Sequence, residues 1–148
     1  MTSGRYLSDI IYEALIAAAK EGMFKEDVYV KEFVLKDVSE FIEGDNLVGI
    51  FNLDEDKAVA KEICTTLVDR AAKIGAIMNA AMCVASCGDK SLPVGIVCEG
   101  TTFNKLPGFR SAFDKYLHVV LDPQGIRFEI LQGKELNLIG TLMAAQIL

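Results

Sequence analysis

Glu99-Gly100-Thr101-Thr102-Phe103-Asn104-Lys105-Leu106-Pro107-Gly108-Phe109 joins a short apolar run to an amphipathic helical pattern. The run, Val94-Gly95-Ile96-Val97-Cys98 after Pro93, has the continuous hydrophobicity of a strand buried on both faces. On the other side Phe109, Phe113, Tyr116, Leu117 and Val120 recur at helical spacing. A strand, a glycine turn and a helix in that order put Glu99, Gly100 and Thr101 at the carboxyl end of a strand, where open α/β sheets bind ligands. Gly100 lets backbone approach a ligand closely, and a hydroxyl of Thr101 or Thr102 with neighbouring N–H groups can donate to phosphate oxygens. An ordinary strand-to-helix turn uses the same glycine, so spacing alone leaves both readings open.

Outward from this stretch the elements alternate. Asp122-Pro123-Gln124-Gly125 has turn chemistry, Ile126 to Leu131 alternates as a strand, and Asn137 to Leu148 has the pattern of a final helix. Two strands joined by a crossover helix are expected to be parallel. Upstream, Asp54 to Asp56 place carboxylates at the start of a long helical pattern, Val59, Ile63, Leu67, Ala71, Ile74, Met78 and Met82, which breaks at Gly88. Its later half, Ala71 to Ala85, is apolar on nearly every side and is expected to be covered on more than one face. A first helix runs from Ser3, a possible N-cap, through Leu7, Ile11 and Leu15 to a stop at Gly22. Residues 23–53 are mixed, with short helical patterns around Val30 to Phe41 and a turn at Gly44-Asp45-Asn46. The expectation is one α/β unit over residues 1–148, helical over 1–88 and strand-helix-strand-helix over 92–148.

Composition narrows the function classes. A chain of 148 residues, about half of them hydrophobic, can bury one core. A formal charge of -6 argues against a nucleic-acid partner, which would be met by clustered Lys and Arg. No basic segment followed by an apolar run opens the chain, and no stretch reaches the roughly 20 apolar residues that cross a bilayer, so a cytoplasmic protein without a membrane partner is expected. Cys64, Cys83, Cys87 and Cys98 sit in helix or strand patterns without a Cys-x-x-Cys pair and read as reduced thiols. Cys83 and Cys87 share a helix face, but His118 is the lone histidine and a zinc site needs more ligands than these. His118 reads as a helix-face residue, with no Ser/His/Asp arrangement around it.

Glu99-Gly100-Thr101, Phe103, Asn104-Lys105 and Pro107-Gly108-Phe109 resemble the adenosine motif of eukaryotic-type hexokinases, in which a strand ends in Asp-Gly-Ser/Thr, followed by an aromatic, often Asn-Lys, and Pro-Gly-Phe. Further landmarks follow the family's order. Met1-Thr2-Ser3-Gly4-Arg5-Tyr6-Leu7-Ser8-Asp9 is similar to its Met-Ile-Ser-Gly-x-Tyr-Leu-Gly-Glu, and Ile42-Glu43-x-Asp45 and Arg70-Ala71-Ala72 fall where that family carries the same residues. The resemblance covers nearly the whole chain as the C-terminal part of a hexokinase, a member of the actin-like, ribonuclease H-like sugar-kinase superfamily.

It implies phosphorylation of glucose or a similar hexose at the 6-hydroxyl by ATP with Mg²⁺, the upstream half of the enzyme contributing the catalytic aspartate, the metal ligands and most of the sugar site. By resemblance Asp9 would bind sugar hydroxyls, one methylene shorter than the family's Glu. Glu99, Gly100 and Thr101 would meet the nucleotide, Glu99 being one methylene longer than the family's Asp. Gly140 is the glycine retained from the family's Ser-Gly-x-Gly turn, with Asn137 in place of the serine as a possible N-cap. Lys105 and Arg110 could steer phosphate, a solvated surface position being the simpler reading of each. The strands expected upstream leave an open sheet edge, a place for self-association. The departures at Asp9, Glu99 and Asn137 to Ile139 keep a second reading open, a non-catalytic sugar-sensing or protein-interaction relative on the same scaffold.

Overall fold

The computed structural model describes residues 4–44, 50–88 and 90–132. The Ser3 cap, most of the turn after Gly44, the helix expected from Asn137 and the candidate Gly140 lie outside the described residues.

The first helix, α1 (Gly4–Lys20), buries Leu7, Ile11, Leu15 and Ala18 along one stripe. Gly22 stops it with φ 71°, while the Met23 N–H reaches back to the Ala18 carbonyl at 3.0 Å, the six-to-one bond of a Schellman stop. The next helix, α2 (Leu35–Glu43), is shorter than the sequence pattern suggests. Its start is set by Asp37, whose carboxylate accepts the Val34 N–H at 2.8 Å, so residues 30–34 stay irregular and Val30 is buried as an anchor.

The helix α3 (Asp54–Ser86) is the spine, 33 residues and so about 50 Å long at 1.5 Å per residue. Asp56 in its first turn is buried and accepts the Lys25 and Glu26 N–H groups at 2.8 and 3.1 Å, which ties the chain after α1 to the start of α3. Its core face is built from small residues, Ala60, Cys64, Val68, Ala72, Ala76 and Ala80, and packs against α1, α2 and above all α5 (Phe109–Leu121). The expected burial of the second half of α3 on several faces is not found. Ile77, Met78, Met82 and Val84 are 47, 62, 67 and 42 % exposed, because the described elements cover one side of the helix and leave the other open.

The two strands, β1 (Val94–Val97) and β2 (Phe128–Leu131), pair in parallel with Val94 opposite Phe128 and Ile96 opposite Ile130. A short helix, α4 (Thr101–Lys105), then α5 and a 3₁₀ turn at Asp122–Gln124 form the crossover between them. This is the helix-rich α/β arrangement with two parallel strands that the sequence implies. The strand after Pro93 is nevertheless not buried on both faces: Ile96 is buried while Val97 is 48 % exposed. One face packs on α3 and the crossover, and among the described residues no layer lies on the other. Gly95 fits the Leu131 side chain, since a Cβ there would come within 2.9 Å of Leu131 Cδ1.

Candidate functional site

The turn after β1 is shaped by backbone chemistry. Gly100 has φ 117° and ψ 155°, a conformation essentially reserved for glycine, and its carbonyl accepts the Asn104 N–H at 3.2 Å to start α4. A Cβ there would meet nothing within 4 Å. The dihedrals, and not crowding by protein atoms, demand glycine at this position, and the space before it is open.

The rest of the motif holds that turn in place. Leu106-Pro107-Gly108-Phe109 is a type II turn, with Gly108 at φ 78° and the Phe109 N–H on the Leu106 carbonyl at 3.2 Å. Phe103 is buried edge-on against Phe109 and Phe113, at ring separations of 6.3 and 5.4 Å. The Arg110 guanidinium lies over the Phe103 ring at 5.9 Å. The Asn104 side-chain oxygen accepts the Gln132 amide at 2.6 Å, joining α4 to the chain after β2. Lys105 is exposed, and its carbonyl accepts the Ser39 hydroxyl at 3.3 Å from α2. Phe103, Asn104, Pro107, Gly108 and Phe109 thus position the turn, and Glu99, Gly100 and Thr101 remain at the surface.

Two depressions flank this turn. A cleft of about 380 Å³ is lined by Asn79 of α3, by Glu99, Gly100 and Thr102, and by the aromatic rings of Phe103 and Phe109. A groove of about 460 Å³ on the other side is lined by Gly4, Leu35, Ser39, Thr101 and Lys105, with Thr102 again on its wall. Glu99 and Gly100 therefore share one cleft, whereas Thr101 faces the neighbouring groove and only Thr102 borders both. Asp9 lines neither depression; it is exposed on α1, away from the Leu7 and Ile11 stripe. The two candidate regions meet through Gly4, at whose α-carbon a Cβ would lie 2.9 Å from Thr102 Oγ1. Asp9 stands five residues further along α1, roughly 7.5 Å on the helix rise.

Sequence reasoning missed Asn79 and, within the Glu99 to Thr102 turn, singled out Thr101 and not Thr102. Asn79 was signalled by being the lone amide in the apolar run Ile74 to Val84; Thr102 carried no local signal beside Thr101. Sequence reasoning also missed the Tyr116 hydroxyl, which donates to Asp69 at 2.7 Å and thereby links α5 to α3. That hydrogen bond raises the Tyr116 pKa, with desolvation and the Asp69 charge adding to it.

The thiols respond to their surroundings in the same way. Burial pushes the Cys64 pKa up to about 12. Burial also raises Cys98 beside Glu99, while the Arg110 charge opposes the shift. Cys83 is raised by burial and then by its neighbour Cys87. His118 is exposed on α5, with its Nδ1 3.1 Å from the Asp122 carboxylate and its ring 4.7 Å from that of Phe128. Among the described residues no three of His, Cys, Asp and Glu come together as a metal cage. None of the described helices is long and apolar enough to cross a membrane.

A search of curated proteins gave no match. The protein-family model described as Hexokinase matches residues 1–147. With the Gly100 turn closing a parallel strand and the Pro107-Gly108 turn leading into α5, this match over nearly every residue means that the chain belongs to the hexokinase family, as a C-terminal part of it.

Proposed function

We propose that this chain is the C-terminal portion of an ATP-dependent hexose kinase, which transfers the γ-phosphoryl group of ATP to the 6-hydroxyl of glucose or a similar sugar. The observation that carries the reading is Gly100: in a hexokinase-family chain, a glycine-only backbone conformation with open space before it stands at the carboxyl end of a parallel strand.

In this reading Gly100 and Thr101 hold the nucleotide phosphates through backbone and hydroxyl donors, and Glu99 borders the nucleotide from the β1 side. Gly140, outside the described residues, is assigned to the nucleotide by resemblance alone. Asp9 accepts hydrogen bonds from vicinal sugar hydroxyls with its two carboxylate oxygens. Mg²⁺, bound together with ATP, would supply charge neutralisation on the phosphates. Phosphoryl transfer leaves the protein little covalent chemistry, and positioning with electrostatic stabilisation does most of the work.

The acceptor of the hydroxyl proton belongs to the upstream half of the enzyme. The exposed apolar side of α3 and the outer edge of β1 are the surfaces on which that half would seat. Four free thiols accord with the reducing cytoplasm as its place of action.

The test is calorimetry and kinetics on the purified 148-residue chain. Mg-ATP binding, weakened by Gly100→Val, together with no glucose-dependent ADP release, is the expected outcome. Glucose-dependent ADP release that Asp9→Ala abolishes would place the base inside this chain and overturn the division of labour. Asp9 and Glu99 each differ by one methylene from the family pattern, and this favours one second reading, a non-catalytic sugar sensor. That reading requires hexose binding without nucleotide binding.

A further inference from the structure

The cleft at the end of β1 has two polar walls and an aromatic floor. Asn79 stands on one wall, from the middle of α3, and Glu99 with Gly100 on the other; Phe103 and Phe109 lie between. Asn79 is out of place by propensity, since asparagine in a helix interior is less favourable than alanine by roughly 0.5 kcal/mol, and every other residue from Ile74 to Val84 is apolar, glycine or cysteine. Its side chain is held by one bond, Nδ2–H to the Gly75 carbonyl at 2.9 Å, one turn earlier. A carboxamide has two N–H donors and an oxygen with two lone pairs, so one donor and the acceptor remain for whatever enters the cleft.

The chemistry of that guest follows from the walls. A phosphate group offers only acceptors and would leave the Asn79 side-chain oxygen without a donor. A hydroxyl both donates and accepts, which suits a neutral carboxamide, and the C–H face of a sugar ring suits the Phe103 and Phe109 floor. We infer that Asn79 is a sugar-hydroxyl-binding residue for the nucleotide, contacting the ribose while Gly100 and Thr101 meet the phosphates. This rests on the nucleotide reading of the Gly100 turn and adds a specificity element to it from a different helix.

Calorimetric titration of the 148-residue chain with Mg-ATP, Mg-2′-deoxyATP and glucose tests the assignment, for the wild type and for Asn79→Ala. Wild type should prefer ATP over the 2′-deoxy nucleotide by roughly five- to tenfold, the worth of one net hydrogen bond. Asn79→Ala should bind ATP as weakly as the deoxy nucleotide and leave the deoxy affinity unchanged. Alanine favours the helix, and an unchanged far-UV circular dichroism spectrum checks the fold. Equal binding of the two nucleotides by the wild type overturns the assignment without any variant. So does a variant that keeps the preference, or one that loses both nucleotides equally. Loss of glucose affinity with ATP affinity intact would identify the ring as the hexose and also overturn it. Failure of the wild type to bind ATP at all would remove the nucleotide reading together with this one, which separates the two failures.

Discussion

Gly4 and Thr102 are pressed together: a Cβ on Gly4 would lie 2.9 Å from Thr102 Oγ1 and 3.1 Å from Leu35 Cδ2. The first turn of α1, which leads to Asp9, therefore rests on α4, which follows Gly100. Any displacement of α1 along this contact shifts the candidate sugar carboxylate relative to the candidate nucleotide turn.

Gly4→Ala should destabilise the chain by about 1–3 kcal/mol, the usual range for overpacking. Thr102→Ala removes the opposing hydroxyl, so the double variant should recover part of the loss, and urea unfolding of the four proteins measures the coupling. Strict additivity of the two single effects would show that the contact is slack.

A second expectation follows from Cys64. Its thiol keeps its proton in the folded chain up to about 12 because of burial, whereas the unfolded thiol ionises near the ordinary 9.0. Above 9.0 the unfolded state binds fewer protons than the folded state, so stability falls as pH rises; below that value this group contributes no pH dependence. Urea midpoints between pH 9 and 11 should therefore fall more steeply for the wild type than for Cys64→Ala. Parallel slopes would show that Cys64 ionises without unfolding.

How far these features could be read in advance depends on whether their causes are local. Gly22, the Leu106 to Phe109 turn and the Asp122 to Gly125 turn are local backbone chemistry, and each stands where glycine and proline announce it. The parallel pairing of β1 and β2 follows from the helix between them. The burial of α3 was not readable, because apolarity reports that a partner surface is wanted and not which residues supply it; Met78 and Met82 are exposed in this chain. The helix α4, five residues long, has no room for a period. Asn79 and Glu99 line one cleft from positions twenty apart with no common motif, and the Gly4 contact with Thr102 spans almost a hundred residues. Thr101 looked equivalent to Thr102 in sequence, but a helical turn sends neighbouring side chains in different directions, and only Thr102 borders both depressions.

The open side of α3 bears on assembly. Met78 and Met82 are more than 60 % exposed, and among the described residues the sheet has two strands, so β1 and β2 each have an outer edge. Unpaired strand edges and apolar helix faces promote association. Light scattering on the isolated chain should show dimers or larger species, and Met78→Lys with Met82→Lys should return the population toward monomer. A strictly monomeric wild type at micromolar concentration would refute the expectation.

The last prediction concerns Gly100. Any side chain there must adopt φ 117° or move the turn, and holding a residue in such a region is worth of order 1–3 kcal/mol, although a Cβ would meet no protein atom within 4 Å. Gly100→Ala should therefore be destabilised by about that amount without a packing clash. Gly100→Val adds a β-branched side chain to the space assigned to phosphate, and should weaken Mg-ATP binding more than Gly100→Ala does. The loss of one charge-assisted contact, about 1.5–3 kcal/mol, corresponds to roughly ten- to over a hundredfold in affinity. Glucose affinity should change little, because Asp9 lies on a different helix and lines a different surface. Calorimetry with both ligands decides between the alternatives. A Gly100→Val chain that is destabilised as expected but binds Mg-ATP like the wild type would leave Gly100 a turn residue, and the nucleotide assignment of this turn would fall with it.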